Sequence, residues 1–168
     1  MEHAVKNKKQ IIMIICTVVL SGLVAGLLYG YACSVNPGLH QLNNREYLSA
    51  MQSINNAILN PVFFISFMGS LAMFAVTLFQ LRNAQTEAFY YMLAAMLIYV
   101  TGVFAITVFA SVPLNNRLAG FNISTASEKD LYMMRAIFEK RWNAFHIIRT
   151  IASVAAFFLS IITLTKIK

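Results

Sequence analysis

The sequence predicts an all-α integral membrane protein, an up-down four-helix bundle, on three observations. Of the 168 residues, 59% are hydrophobic and 11% are charged, whereas soluble domains average about 45–50% apolar and about 25% charged residues. Four apolar runs each reach the length of about 20 residues that a membrane-spanning helix needs. The runs are continuous, which excludes the alternating strands of about ten residues that build a membrane β-barrel.

The chain is predicted to form a single membrane domain over residues 1–168, with spans at about 11–32, 60–81, 89–110 and 142–165. The first run is longer than the 7–15 apolar residues of a signal peptide and is followed by no small-x-small cleavage site, so it is predicted to be a span. Pro61 opens the second span, because proline lacks an N–H that the first helical turn does not use. A tight connection from Arg82 to Glu87 leads into the third span.

Two more polar connections are predicted on one side of the membrane. In the first, apolar residues recur at helical spacing and predict a short amphipathic helix near the interface, with Asn43 or Asn44 as its N-cap; they are Tyr47, Met51, Ile54 and Ile58. The second connection, residues 118–140, holds most of the remaining charges. It is partly helical from Ser127, an N-cap residue followed by acidic residues.

The formal net charge is +7, but the basic residues lie mostly at the edges of the apolar runs. There they anchor helices and contact lipid head groups, so the expected partner is the lipid bilayer and not a nucleic acid. Basic residues are nearly balanced between the two sides, and the basic head with Lys6, Lys8 and Lys9 favours cytoplasmic termini in a bacterial inner membrane. Small residues on one helix face, Gly22, Gly26 and Gly30, predict a homodimer contact.

Polar side chains concentrate at one end of all four spans. Burying amides, an imidazole and a guanidinium at membrane depth is costly unless they pair or line a cavity. We therefore predict a ligand pocket in that leaflet, capped by the two polar connections. The candidate residues are Asn36 and His40 after the first span, Asn55 and Asn60 before the second, Asn115 and Asn116 after the third, and Trp142, Asn143, His146 and Arg149 in the fourth.

Within the fourth span, Trp142, His146 and Arg149 are spaced four and three residues apart and share one helix face. A large ring, a titratable imidazole and a fixed cation along one stripe suit an aromatic, oxygenated ligand. The chain has three histidines, none in an H-E-x-x-H or similar ligand spacing, so we predict no metal site.

Several short motifs, in order along the chain, resemble those of the anthrone oxygenase-like family of small four-helix membrane proteins, many of them bacterial. They are Gly30-Tyr-Ala-Cys-Ser-Val-Asn-Pro-Gly-Leu39, Ala50-Met-Gln-Ser-Ile-Asn55, Leu59-Asn-Pro61, Val112-Pro-Leu-Asn-Asn116, Trp142-Asn-Ala-Phe-His146 and Arg149-Thr150. The resemblance covers about residues 11–160.

The resemblance implies oxidation of an anthrone to an anthraquinone by molecular oxygen, as co-substrate, without flavin, haem or metal. That reaction needs a base and an oxyanion stabiliser, and our hypothesis is that His146 is the base and that Arg149 and Asn116, with Asn115, stabilise the developing oxyanion. Trp142 and nearby phenylalanines then pack the substrate rings. Asn143, Asn36, His40, Asn55 and Asn60 are predicted to complete the substrate-binding pocket.

Two other readings of the same residues stay open. A non-enzymatic four-helix membrane protein would bind a lipid or a quinone-like ligand in the same pocket, and oxygen consumption distinguishes it from an oxygenase. Alternatively, the polar residues form a structural network that joins the connections to the bundle, in which case their removal lowers stability only. Transport is disfavoured, because the sequence has no internal repeat and no helix break at the membrane midplane.

Overall fold

The computed structural model describes residues 2–82 and 87–167, with side chains from residue 8 onward. Over these residues every regular element is helical, which confirms the all-α prediction. The elements are α1 (Glu2–Gly30), a π-helical turn (Tyr31–Val35), α2 (Asn36–His40), α3 (Asn44–Ala57), α4 (Pro61–Leu81), α5 (Glu87–Ile98), two π-helical segments (Tyr99–Ala105 and Thr107–Ser111), α6 (Val112–Ala119) and α7 (Glu128–Thr165).

These elements form four rods that are long and apolar enough to cross a membrane, as predicted: Lys8–His40, Pro61–Leu81, Glu87–Ala119 and Glu128–Thr165. At about 1.5 Å per residue, the last rod is about 57 Å long, nearly twice the roughly 30 Å of hydrocarbon in a bilayer. Only α4, with 21 residues, matches the bilayer in length, so the other three rods continue beyond it. The predicted tight connection from Arg82 to Glu87 includes residues outside the described ranges.

The rods differ from the predicted spans at their ends. The first and third continue through Pro37 and Pro113, because each proline lies in the first turn of a helical segment, α2 or α6, that follows a π-helical turn. A proline in a first turn removes no helical hydrogen bond. The predicted helix at Ser127 and the last span are one helix, α7, whose N-cap is Ser127.

The membrane part is held together by an apolar core with a few polar contacts between helices. The Thr17 and Thr77 hydroxyls are 2.9 Å apart and join α1 to α4, and Gly102 lets its rod approach Ala152 of α7. Gly22 packs against the Phe157 ring of the same chain, whereas the faces of Gly26 and Gly30 are open. The homodimer contact therefore remains a prediction for those two glycines. The buried core residues are Ile14, Val24, Phe67, Phe74, Leu81, Ala88, Met92, Ala95, Tyr99, Val103 and Ala156.

Helix α3, α6 and the N-terminal third of α7 form a second apolar core beyond the membrane part, which we call the cap. Its α3 is the predicted amphipathic helix, and its N-cap is Asn43, which forms a capping box with Glu46. Gln52 donates hydrogen bonds to two carbonyls at the end of α6 and so fixes α3 against it. The buried cap residues are Tyr47, Leu48, Met51, Leu118, Ile123, Leu131, Phe138 and Trp142.

Arg135 of α7 locks the chain segment between α2 and α3 onto the cap. Its guanidinium donates to the carbonyls of Leu42 (2.6 Å) and His40 (2.8 Å) and to the carboxylate of Glu139 (2.8 Å). It also lies 4.5 Å from the ring centre of Tyr47. Burial, reinforced by the nearby Glu139 carboxylate, raises the pKa of the Tyr47 phenol, so this ring stays neutral beneath the guanidinium.

Candidate functional site

The candidate site lies where the cap meets the membrane part, and we call it the junction cluster: Tyr31, Asn115, Trp142, His146 and Arg149. The last three are 5%, 1% and 8% exposed. Their spacing along α7 places them on one helix face, and that face packs into the protein. Arg149 lies about 24 Å along the helix axis from Thr165, at about 1.5 Å per residue, and therefore within the membrane leaflet nearer the cap.

Three aromatic rings pack together at the centre of the junction cluster. The Trp142 and His146 rings are stacked, with centroids 4.8 Å apart and an angle of 9° between their planes. Tyr31, from the π-helical turn of the first rod, lies 5.3 Å from Trp142 and 5.1 Å from His146. Its hydroxyl is 3.2 Å from the sulfur of Met51 in the cap. Trp142 and His146 therefore form a stack, against which the Tyr31 ring packs at 51° and 58° to the two planes, and this aromatic cluster joins the first rod, α7 and α3.

Both ring nitrogens of His146 have partners. Nε2 lies 3.1 Å from the carbonyl oxygen of Leu28, and Nδ1 lies 3.2 Å from an Arg149 guanidinium nitrogen. A carbonyl only accepts and a guanidinium only donates, so Nε2 carries the proton and Nδ1 is the acceptor. His146 is thus held as the neutral Nε2–H tautomer.

Arg149 is a buried cation whose partners are all uncharged. Besides His146 it donates to the Thr107 hydroxyl at 3.3 Å, and its guanidinium carbon lies 5.6 Å from the Trp142 ring centre. None of the ion pairs in residues 8–82 and 87–167 includes Arg149. The electrostatic consequence is an uncompensated positive charge in a low-dielectric environment.

One face of the third rod completes the site. Thr107, Ser111 and Asn115 follow one another at four-residue spacing, about one helical turn each. Thr107 contacts Arg149, and the Asn115 side-chain oxygen accepts a 2.9 Å hydrogen bond from the Trp142 indole N–H. Ser111 lies between them in the sequence and is 2% exposed.

Four buried polar side-chain atoms have no hydrogen-bond partner within the described part of the chain. They are Nδ2 of Asn55, Oγ of Ser111, Oδ1 of Asn143 and Nε of Arg149. Asn55 lies in α3, Ser111 in the third rod, and Asn143 and Arg149 in α7. Since buried polar groups are almost always paired, this region has hydrogen-bonding capacity that the protein alone does not use.

Other residues predicted for the pocket lie outside the junction cluster. His40 is exposed and pairs with Glu139 of the cap through Nδ1 at 2.7 Å. Asn60 is the N-cap of α4 and also donates to the Ala57 carbonyl. Asn36 is half-buried at the start of α2, and Asn116 is exposed on α6.

Three residues of the site have no role in the sequence-based prediction: Tyr31, Thr107 and Thr150. Tyr31 lies within a matching motif, but an aromatic residue at the end of a span is typical of a membrane interface. The Thr150 hydroxyl donates to the His146 carbonyl at 2.9 Å and lies 3.4 Å from the Leu28 carbonyl oxygen. Thr150 lies in the Arg149-Thr150 motif, but the motif gives it no role, and hydroxyl residues such as Thr107 are common in membrane helices.

An apolar groove of about 610 Å³ on the outer surface, between the first rod and α7, reaches Thr150. Thr150 is 8% exposed and shares the Leu28 carbonyl with His146. The groove thus ends one side chain away from the junction cluster. Its lining is Tyr29, Ala32, Cys33, Thr150, Ile151, Val154, Ala155 and Phe158.

Within the described residues, no three His, Cys, Asp or Glu side chains come together as metal ligands.

The family model described as Anthrone oxygenase matches residues 62–159, more than half of the chain. This range contains Asn115, Trp142, His146 and Arg149 but not Tyr31. No curated protein and no solved structure matches the chain.

Proposed function

The chain belongs to the anthrone oxygenase family, and from that premise we propose that it is a membrane-embedded, cofactor-independent oxygenase acting on an anthrone-like aromatic small molecule. Molecular oxygen is the co-substrate. The observation that carries the proposal is the junction cluster, in which an imidazole, an uncompensated guanidinium and packed aromatic rings meet inside the membrane. Its chemistry matches what such a reaction requires.

An anthrone carries an acidic CH₂ group between two aryl rings, opposite its carbonyl. Removal of one proton gives an electron-rich enolate that reacts directly with oxygen, and loss of water then leaves the anthraquinone. Overall, one anthrone and one O₂ give one anthraquinone and one H₂O. The protein must supply a base, a group that stabilises the oxyanion and a dry aromatic site.

His146 is the proposed base, acting through Nδ1 because Nε2 keeps its proton for the Leu28 carbonyl. Nδ1 accepts a hydrogen bond from Arg149 in the absence of ligand. When Arg149 turns to the substrate oxygen, that hydrogen bond is released and Nδ1 becomes free to accept a proton. Oxyanion binding and base activation are thereby coupled in one movement.

The remaining roles follow from contacts and position. Arg149, with Asn115 or Asn116, stabilises the enolate or nascent peroxide oxygen, and Trp142 packs the rings. Asn115 contacts Trp142 directly, which supports Asn115 over the exposed Asn116 for this role. An apolar substrate dissolved in the bilayer enters along the groove that ends at Thr150. We propose a bacterial inner-membrane location with both termini in the cytoplasm.

Oxygen consumption by the detergent-purified protein with a panel of anthrones tests the proposal. We expect uptake above spontaneous autoxidation, and a loss of about 10²–10⁴-fold of the catalysed rate in His146→Ala, the usual contribution of a general base. Ile147→Ala is the matched control, because Ile147 is the next residue and is 54% exposed. Background rates from folded protein with every anthrone, or full turnover by His146→Ala, would refute the assigned chemistry.

A second candidate function, binding of a lipid or quinone-like ligand without turnover, is favoured by one observation. Both ring nitrogens of His146 have protein partners, so the structure presents no free base. A quinone carbonyl would take up the donor capacity of Arg149 without any proton transfer. Saturable ligand binding with no oxygen consumption would support this function over the oxygenase.

A further inference from the structure

We infer that the junction cluster binds its aromatic ligand as an oxyanion, and that Ser111 together with Arg149 provides the hydrogen bonds to it. The ligand class is an aromatic ring system bearing an enolate, phenolate or carboxylate oxygen. The ligand site is that of the proposed function, on which the inference rests, but binding of an oxyanion does not require turnover.

Charge balance points to an anion. A guanidinium remains protonated in proteins, and an isolated buried charge is strongly disfavoured unless it is paired. The chain has six acidic residues, and none lies between Glu139 and the end of the sequence. Glu139 itself is paired with Arg135 and His40 in the cap, which leaves it unavailable to neutralise Arg149.

The donors at the site are unused or weakly used. Arg149 Nε is buried without a partner in the described chain, and the other two guanidinium nitrogens reach uncharged acceptors at 3.3 and 3.2 Å. The Ser111 hydroxyl is likewise buried and unpartnered, one turn from Thr107, which contacts Arg149. Charge-assisted hydrogen bonds to an oxyanion are stronger than those to neutral acceptors, so this donor set favours the ionised form of a ligand.

The aromatic side chains of the junction cluster indicate the rest of the ligand. The Arg149 guanidinium carbon lies 5.6 Å from the Trp142 ring centre, and the Tyr31 and His146 rings pack against Trp142. An anionic oxygen near the guanidinium therefore places its attached ring system beside the aromatic side chains of the junction cluster. A small inorganic anion would contact the hydrogen-bond donors alone, whereas an aromatic oxyanion would also contact these aromatic side chains.

The single tryptophan of the chain provides the test, because it lies in the junction cluster. We would titrate the detergent-purified protein with 9-anthracenecarboxylate and with the neutral 9-anthracenemethanol, following quenching of Trp142 fluorescence. A tryptophan ester dissolved in the same micelles corrects for non-specific partitioning. We expect the carboxylate to bind at least about tenfold more tightly than the alcohol.

Two variants test which residues produce the preference for the carboxylate. Arg149→Met should equalise the two affinities, whereas Arg117→Met, an exposed arginine on α6, should keep the preference. Ser111→Ala should weaken carboxylate binding about 10- to 150-fold, the size expected for one hydrogen bond to a charged group. Ser53→Ala, at an exposed serine of α3, is its control.

Equal affinities of the wild-type protein for the two probes would overturn the inference, as would a carboxylate preference that survives Arg149→Met. If Arg149→Met fails to fold, the wild-type comparison and Ser111→Ala decide the question, and unchanged carboxylate binding by Ser111→Ala would overturn the role of Ser111. These titrations involve no oxygen uptake. If the protein consumes oxygen with an anthrone but shows no preference for the anion, only the oxyanion inference is refuted. If it prefers the anion but consumes no oxygen, only the oxygenase proposal is refuted.

Discussion

Arg149 donates a hydrogen bond to Nδ1 of His146 over 3.2 Å. The two side chains that are predicted to contact a ligand are therefore hydrogen-bonded to each other. The contact occupies the only basic nitrogen of the imidazole, since Nε2 donates to Leu28. It also gives the buried cation one of its few partners. A ligand that attracts Arg149 therefore changes the chemistry available at His146 without moving the ring.

The tautomer of His146 is the first testable consequence. We expect the Nε2–H form to dominate in the ligand-free protein at neutral pH, because its partners are a carbonyl acceptor and a guanidinium donor. Nitrogen-15 chemical shifts of histidine-labelled protein report the tautomer directly, and a spectrum of His146→Ala identifies the signals among the three histidines. Signals of an Nδ1–H tautomer would contradict this arrangement.

The sequence predicts the four spans, the amphipathic α3 and the shared face of Trp142, His146 and Arg149, because these depend on composition and on the regular period of a helix. It does not predict which rod supplies their partners. Tyr31 and Thr107 are residue types common in any membrane helix, and only the tertiary fold brings them to α7.

Helix irregularities limit prediction further. The π-helical segment Thr107–Ser111 precedes α6, and its wider turn changes the direction in which every later side chain of the rod points. Counting along an ideal helix therefore cannot decide between Asn115 and Asn116. From the sequence, Asn60 and His40 are both predicted to bind the ligand. In the structure, Asn60 is the N-cap residue of α4, and His40 pairs with Glu139 of α7.

Asn115 and Asn116 are adjacent amides with different surroundings, so their alanine variants should differ in stability. Asn115→Ala leaves the buried Trp142 indole N–H without its acceptor, which costs about 1–3 kcal/mol of unfolding free energy. Asn116 is exposed, and a surface substitution of this kind stays within about 0.5 kcal/mol. Thermal unfolding in detergent, followed by Trp142 fluorescence, measures both. Equal destabilisation would mean that the indole N–H does not depend on Asn115.

Arg135 should be a major determinant of cap stability. Arg135→Met removes hydrogen bonds to His40, Leu42 and Glu139, and leaves the largely buried carboxylate of Glu139 without its main partner. We expect a loss of about 3 kcal/mol in unfolding by added sodium dodecyl sulfate. Arg141→Met, at an exposed arginine of the same helix, is the control, and a similarly small effect of both variants would argue against the proposed lock.

The Thr17–Thr77 contact tests how much a buried hydrogen bond contributes between two membrane helices. The hydroxyls are 2.9 Å apart, and each residue is almost fully buried. A double-mutant cycle with Thr17→Val and Thr77→Val should give a coupling free energy of about 0.6 kcal/mol, and no more than about 1.7 kcal/mol. The valines keep the side-chain shape, so packing loss largely cancels in the cycle. A coupling indistinguishable from zero would show that the two hydroxyls act independently.

Substitution by alanine should have different effects on stability at Gly102 and at Gly26, although both glycines lie in apolar runs of the sequence. A Cβ at Gly102 would lie 2.5 Å from the Cβ of Ala152, so Gly102→Ala forces the third rod and α7 apart and should cost about 1–3 kcal/mol. A Cβ at Gly26 meets nothing within 4 Å, so Gly26→Ala should be neutral or stabilise by up to about 1 kcal/mol through helix propensity. Ala152→Gly introduced beside Gly102→Ala should restore most of the lost stability, since it removes the colliding atom. Failure of this rescue, measured by unfolding in detergent, would show that the cost at Gly102 does not arise from contact with Ala152.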